Sequence, residues 1–186
     1  GVDFFGAPNL VILDLSYNKI TRLDLRNFKK LSNFTANHNE LLATVLFPNG
    51  STELKNIDLS DGDITHFYPI SLPNLRYLNL SNGSLLELEL GNNYPELRDV
   101  DVSNNIGVTS IDVTQQTKLE KLLIKGTKIT ELNLINNPEL IMLDASNTDI
   151  AKLDLSSNKN LTTLELSDSK LSRLNVSELA YLHTIN

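Results

Sequence analysis

Carboxylates recur in this chain at a spacing that could do chemistry. Asp14, Asp58, Asp101, Asp144 and Glu165 each sit between two apolar residues, and Asp24, Glu89, Asp112 and Asp154 form a second such set. Side chains of one sign brought together at strand spacing repel each other, and a cation or a basic partner relieves them. A calcium site needs several oxygens converging on one point. Open columns facing solvent do not converge, and the spacing of an EF-hand loop is absent, so no metal is expected. His38, His66 and His183 have no partner spacing for a metal or a triad and read as surface or loop residues. There is no Gly-rich phosphate loop, no nucleophile elbow and no cysteine, so no catalytic set and no cofactor is expected. The remaining chemistry is recognition. Tyr77, with Asp58, Asp99 and Asp101 nearby in register, is the best interface anchor, because an aromatic ring supplies area at little entropic cost. Asn56, Asn79 and Lys121 complete the candidate protein-binding set.

These side chains must be held by a repeating element. A leucine stands at 10, 31, 54, 75, 97, 119, 140 and 161, in steps of 21 to 23 residues. Three and five residues after each one come further apolar residues: Leu13/Leu15, Phe34/Ala36, Ile57/Leu59, Leu78/Leu80, Val100/Val102, Leu122/Ile124, Leu143/Ala145 and Leu164/Leu166. Such alternation marks a half-buried strand whose intervening residue faces outward. One more aliphatic follows in most repeats, at Ile20, Leu41, Ile64, Leu85, Ile129, Ile150 and Leu171. A second apolar pair recurs at Leu23/Leu25, Leu88/Leu90, Ile111/Val113, Leu132/Leu134, Leu153/Leu155 and Leu174/Val176. It too should be extended and face the core. The strings between repeats are rich in Asn, Gly and Pro, which break helices and favour turns. Pro8, Pro73, Pro95 and Pro138 precede a repeat leucine by two residues and suit such turns.

The nested pattern L-x-x-L-x-L-x-x-N-x-L-x-x-L-D-L-x-x-N-x-x resembles leucine-rich repeat proteins, in particular a bacterial class of short repeats. The resemblance implies a mainly β solenoid over residues 1–186: a single array of about eight repeats, one regular parallel sheet, a second extended or strand-bearing face, and little helix. It also implies Asn after the first triplet, bonding the backbone of adjacent turns. That column here reads Asn18, Asn39, Gly62, Gly83, Asn105, Thr127, Thr148 and Ser169. Gly bonds nothing through a side chain, so backbone or water partners are expected at rungs three and four. Repeats two and three lack the second triplet, and Pro69 stands at a core position.

The 186 residues carry a formal charge of −7, which argues against nucleic acid or an anionic membrane as partner. No apolar run approaches the roughly 20 residues of a membrane span. N-x-S/T sequons begin at Asn33, Asn49, Asn79, Asn82, Asn160 and Asn175, in a composition where accidental matches are expected. Neither end resembles a full polar cap, so the chain is expected to be a segment of a longer array or to have its ends covered by another chain. A non-catalytic module that binds a basic protein through its regular sheet fits these residues best. The resemblance places it as secreted or at a cell surface. The alternatives are a structural spacer of a larger adhesin, with end-to-end self-association, and a carbohydrate-binding module.

Overall fold

The computed structural model describes residues 7–48, 50–68 and 71–186. Pro69 and the sequon residue Asn49 lie outside them. Eleven short strands follow one another: Ile12–Asp14 (β1), Arg22–Asp24 (β2), Asn33–Thr35 (β3), Thr44–Leu46 (β4), Asn56–Asp58 (β5), Tyr77–Asn79 (β6), Asp99–Asp101 (β7), Lys121–Leu123 (β8), Met142–Asp144 (β9), Thr163–Glu165 (β10) and Thr184–Ile185 (β11). Nine of them form one parallel sheet in the order β1-β3-β5-β6-β7-β8-β9-β10-β11, while β2 and β4 pair separately on the opposite face. The only helix among the described residues is a 3-10 turn at Gly91–Asn93.

Eight strands of the front sheet fall where the repeat leucines place them, and β11 adds a ninth rung. The apolar pair of each triplet points inward. Leu13, Phe34, Ile57, Leu78, Val100, Leu122, Leu143 and Leu164 stack in exact register along the array and are buried. After each of the first eight strands of the front sheet the chain bends through a left-handed residue: Tyr17, His38, Asp61, Asn82, Asn104, Gly126, Asn147 and Asp168 all have positive φ. The N–H of each of the first seven donates to a carbonyl of the next rung, as from His38 to Ser60 at 3.0 Å. A Cβ on Gly126 would lie 2.6 Å from the Asn104 side-chain oxygen, so this bend needs glycine beside that asparagine.

Three expectations are corrected. In rung two Leu42 is buried at 0% exposure while Leu41 is 58% exposed; a turn closed by Leu42 N donating to Asn39 O at 2.7 Å carries Leu41 outward and brings the next position into the core. Val176 is exposed, because the second pair loses its cover toward the last rungs. At rung four the missing side chain is supplied from rung five: Asn105 Nδ2 donates to Leu80 O at 2.8 Å, and its Oδ1 accepts from Leu85 N at 2.8 Å. Rung three has a backbone partner as expected, with Asp63 N donating to Leu42 O at 3.0 Å. The irregular repeats two and three are filled by aromatic side chains. Phe34, Phe47, Phe67 and Tyr94 form a chain of ring contacts with centroids 5.7–6.4 Å apart, within the favourable range for aromatic pairs.

Candidate functional site

The seven residues singled out from the sequence lie on four adjacent strands, β5 to β8, on the outward side of the front sheet. Register aligns Asn56, Tyr77, Asp99 and Lys121 in one column and Asp58, Asn79 and Asp101 in the other. Their neighbours Asn33 and Leu123 extend the two columns. Between Tyr77, Asp99, Asp101, Lys121 and Leu123 lies a shallow depression of about 60 Å³ floored by Val100. Too small for a drug-sized ligand, it suits a single inserted side chain.

The electrostatics of the patch follow from partial burial. Burial pushes the Asp99 carboxyl above the usual carboxylate range, and the Lys121 ammonium beside it pulls the other way. Burial likewise raises the Tyr77 phenol, with the Asp58 carboxylate adding to the effect. At the rim Arg98 pairs with Glu120, and Asn56 donates to Asn33.

The acidic column proves to be partly structural. Asp58 Oδ1 accepts from Ser60 N at 3.0 Å and from Ser60 Oγ at 2.7 Å. Asp14, Asp101 and Asp144 accept from the N–H two residues on in the same way, and Asn79 does so from Ser81 N at 3.0 Å. Each side chain thereby stops its strand and starts the turn. On the opposite face Asp24, Asp112, Asn133, Asp154 and Asn175 repeat the motif. Hydrogen bonds hold Asp14, Asp112 and Asp154 below the usual carboxylate range. One oxygen of each carboxylate is thus occupied within the chain, which weakens the argument that the column calls for a cation. Among the described residues no group of three or more acidic or histidine side chains could hold a metal.

Sequence reasoning missed what the histidines do. His38 stacks on Tyr17 with centroids 4.2 Å apart, and its Nε2 lies 3.7 Å from Asp61. His66 stacks on Tyr68 at 5.3 Å and lies 3.5 Å from Glu87, which also accepts from the Tyr68 hydroxyl at 2.8 Å. Both pairings join adjacent rungs, so the repeat spacing was the signal that could have found them.

No family model and no curated protein sequence matches this chain. Solved structures do. The functional domain of InlJ from Listeria monocytogenes, which includes a cysteine ladder, is 23% identical with a TM-score of 0.54 over 91% of this chain and 47% of that one. A leucine-rich repeat protein of Leptospira interrogans gives 18% and 0.62 over 91% and 58%. A plant peptide hormone receptor, RGFR1, in complex with RGF2 gives 21% and 0.71 over 94% and 35%. The present chain spans about half the length of the two bacterial structures. With no cysteine, its own ladders are built of Asn and Gln. A parallel sheet repeating every 21 to 23 residues, an inward leucine column and these structural neighbours give the chain the fold of a leucine-rich-repeat solenoid with short repeats.

Proposed function

We propose that this chain is a non-catalytic recognition module that binds a protein with a basic surface through β5 to β8 of the front sheet. The observation that carries this reading is the gathering of Tyr77, Asp99, Asp101 and Lys121 around one depression on an otherwise regular face. The solenoid presents that face on a backbone paired rung to rung, so little ordering entropy opposes docking. Among the structural neighbours, RGFR1 is seen with RGF2 and Toll with Spatzle, which supports a protein partner. The resemblance to bacterial short repeats supports a secreted or surface-exposed protein.

The capping role of Asp58 and Asp101 dictates the variant that tests this. Asn79 performs the same capping in the same column, so Asp58→Asn and Asp101→Asn remove charge while keeping the turns. Combined with Tyr77→Ala, they should abolish capture of the partner in a pull-down, while a back-face variant, Asp24→Asn with Glu89→Gln, captures it normally. Equal capture by both variants would refute the front-face reading. The structural-spacer reading rests on Ile185, which continues the inward column past Leu164 and is exposed. It predicts concentration-dependent self-association that Ile185→Lys removes, read by analytical ultracentrifugation.

A further inference from the structure

On the face opposite the front sheet, the segments 110–112, 131–133 and 152–154 run side by side in three successive rungs. At one corner the rungs are tied by backbone bonds, Lys128 N to Val108 O at 2.8 Å and Asp149 N to Ile129 O at 3.0 Å. At the next corner they are tied by side chains, Asn137 Nδ2 to Val113 O at 2.9 Å and Asn158 Nδ2 to Leu134 O at 3.0 Å. Between those ties no backbone hydrogen bond joins the three segments. The fold does not impose this opening, since the equivalent segments of rungs one and two pair as β2 and β4 with a further bond from Leu25 N to Leu46 O at 2.8 Å.

The opening is a broad, shallow groove of about 630 Å³, open to solvent along its length. Its floor is Ile111 and the half-buried Leu132 and Leu153. Its rim carries Asp112, Glu131 and Asp154 against one cation, Lys152. Asp112 and Asp154 each accept the N–H of their turn through Oδ1. Glu131 and Lys152 have no ion-pair partner among the described residues.

We infer that this groove receives an extended segment of a partner protein in which aliphatic and basic residues alternate. Two features converge on that occupant. The apolar floor takes every second side chain of such a segment. Three rim carboxylates against one ammonium select Lys or Arg at the positions between. The groove lies on the face away from Tyr77, so it is a site separate from the front patch.

The test is an amide-resolved NMR titration of the whole chain with a capped dodecapeptide of alternating Lys and Val. Saturable shifts are expected at 110–112, 131–133 and 152–154, with the amides of β5 to β8 unmoved. Asp112→Asn, Glu131→Gln and Asp154→Asn together should weaken binding about tenfold, the combined size of three rim ion pairs; Asn133 and Asn175 already cap these turns, so the fold is kept. Asp58→Asn with Asp101→Asn should leave the affinity unchanged. The inference is overturned if those nine amides do not move, if the shifts map to β5 to β8 and vanish with the front variant, or if a capped Glu–Val peptide binds equally well. It is overturned too if a neutral oligosaccharide moves these amides and the Lys–Val peptide does not.

Discussion

The aspartate of each triplet serves two purposes, and substitution separates them. Its side chain caps the turn and its charge faces solvent. Asp58→Ala removes the acceptor for both the N–H and the hydroxyl of Ser60 and is expected to destabilise by about 1–2 kcal/mol, while Asp58→Asn should change stability little because Asn79 already does this work one rung on. Urea denaturation of the two variants checks the difference. Acid titration separates the aspartates by environment. Arg26 holds the Asp24 carboxyl down to about 2 from 3.8, so its stabilisation is complete above about pH 4 and is lost as pH falls through 2. Asp99 runs the other way. Its folded pKa is raised, so its contribution is full below the unfolded value and is lost as pH rises through the folded one. Asp99→Asn should therefore raise the midpoint of urea unfolding at pH 7 and leave it nearly unchanged at pH 3. These roles were half legible in the sequence. The alternation showed which way Asp58 and Asp99 point, but the Ser60 bonds depend on a bend two residues later.

At the level of the element, two ladders of buried amides tie rung to rung. Asn39 bonds Leu15 O at 2.9 Å and Ala36 O at 3.0 Å and accepts from Ile20 N at 3.0 Å, and Asn105 does the same for rungs four and five. On the far side Gln116, Asn137 and Asn158 reach the carbonyls of Gly91, Val113 and Leu134. Thr127 and Thr148 bond only within their own rung, to Ile124 O and Ala145 O, each at 2.7 Å. Asn105→Ala strands two carbonyls and an N–H in the interior and is expected to cost about 3 kcal/mol or more, at 1–3 kcal/mol for each buried group left unsatisfied. Asn105→Thr recovers the local bond alone and should cost less, and thermal unfolding will rank the two. The first ladder was partly readable as a column of Asn, Gly and Thr. The second was partly readable too, as the second Asn of the repeat, which falls at Asn137 and Asn158 with Phe28 and Gln116 in the same place; its partners one rung back, the carbonyls of Val113 and Leu134, were not.

For the whole molecule, each rung contacts only its neighbours, so stability is a sum of rung and interface terms. Leu78 lies between β5 and β7, buried at 0% exposure. Leu78→Ala should cost about 2–5 kcal/mol through the cavity it leaves. Hydrogen exchange should then quicken across the neighbouring rungs rather than at one strand. Leu164→Ala, next to the last strand β11, should instead quicken exchange mainly beyond residue 160. A profile that loosened uniformly in both variants would show a globular, not a nearest-neighbour, core. The same one-dimensional logic explains why two faces can carry separate sites, since neither the front depression nor the back groove needs a residue of the other.

The leucine spacing by itself determined the inward column from Leu13 to Leu164, its register from rung to rung, and the outward direction of Asn56, Tyr77, Asp99 and Lys121, and the resemblance to leucine-rich repeats implied that these strands stack in parallel. The column, its register and the outward direction follow from a side-chain period of two repeated every 21 to 23 residues. What the tertiary structure alone decided is how the rungs sit against one another. Only there does Asn105 reach back to serve the glycine rung, does Leu42 replace Leu41 in the core, and do the segments at 111, 132 and 153 stand open where β2 and β4 close. Hydrogen bonds between rungs depend on separations and bends set by every intervening turn, and a pattern read along one rung carries no record of its distance from the next.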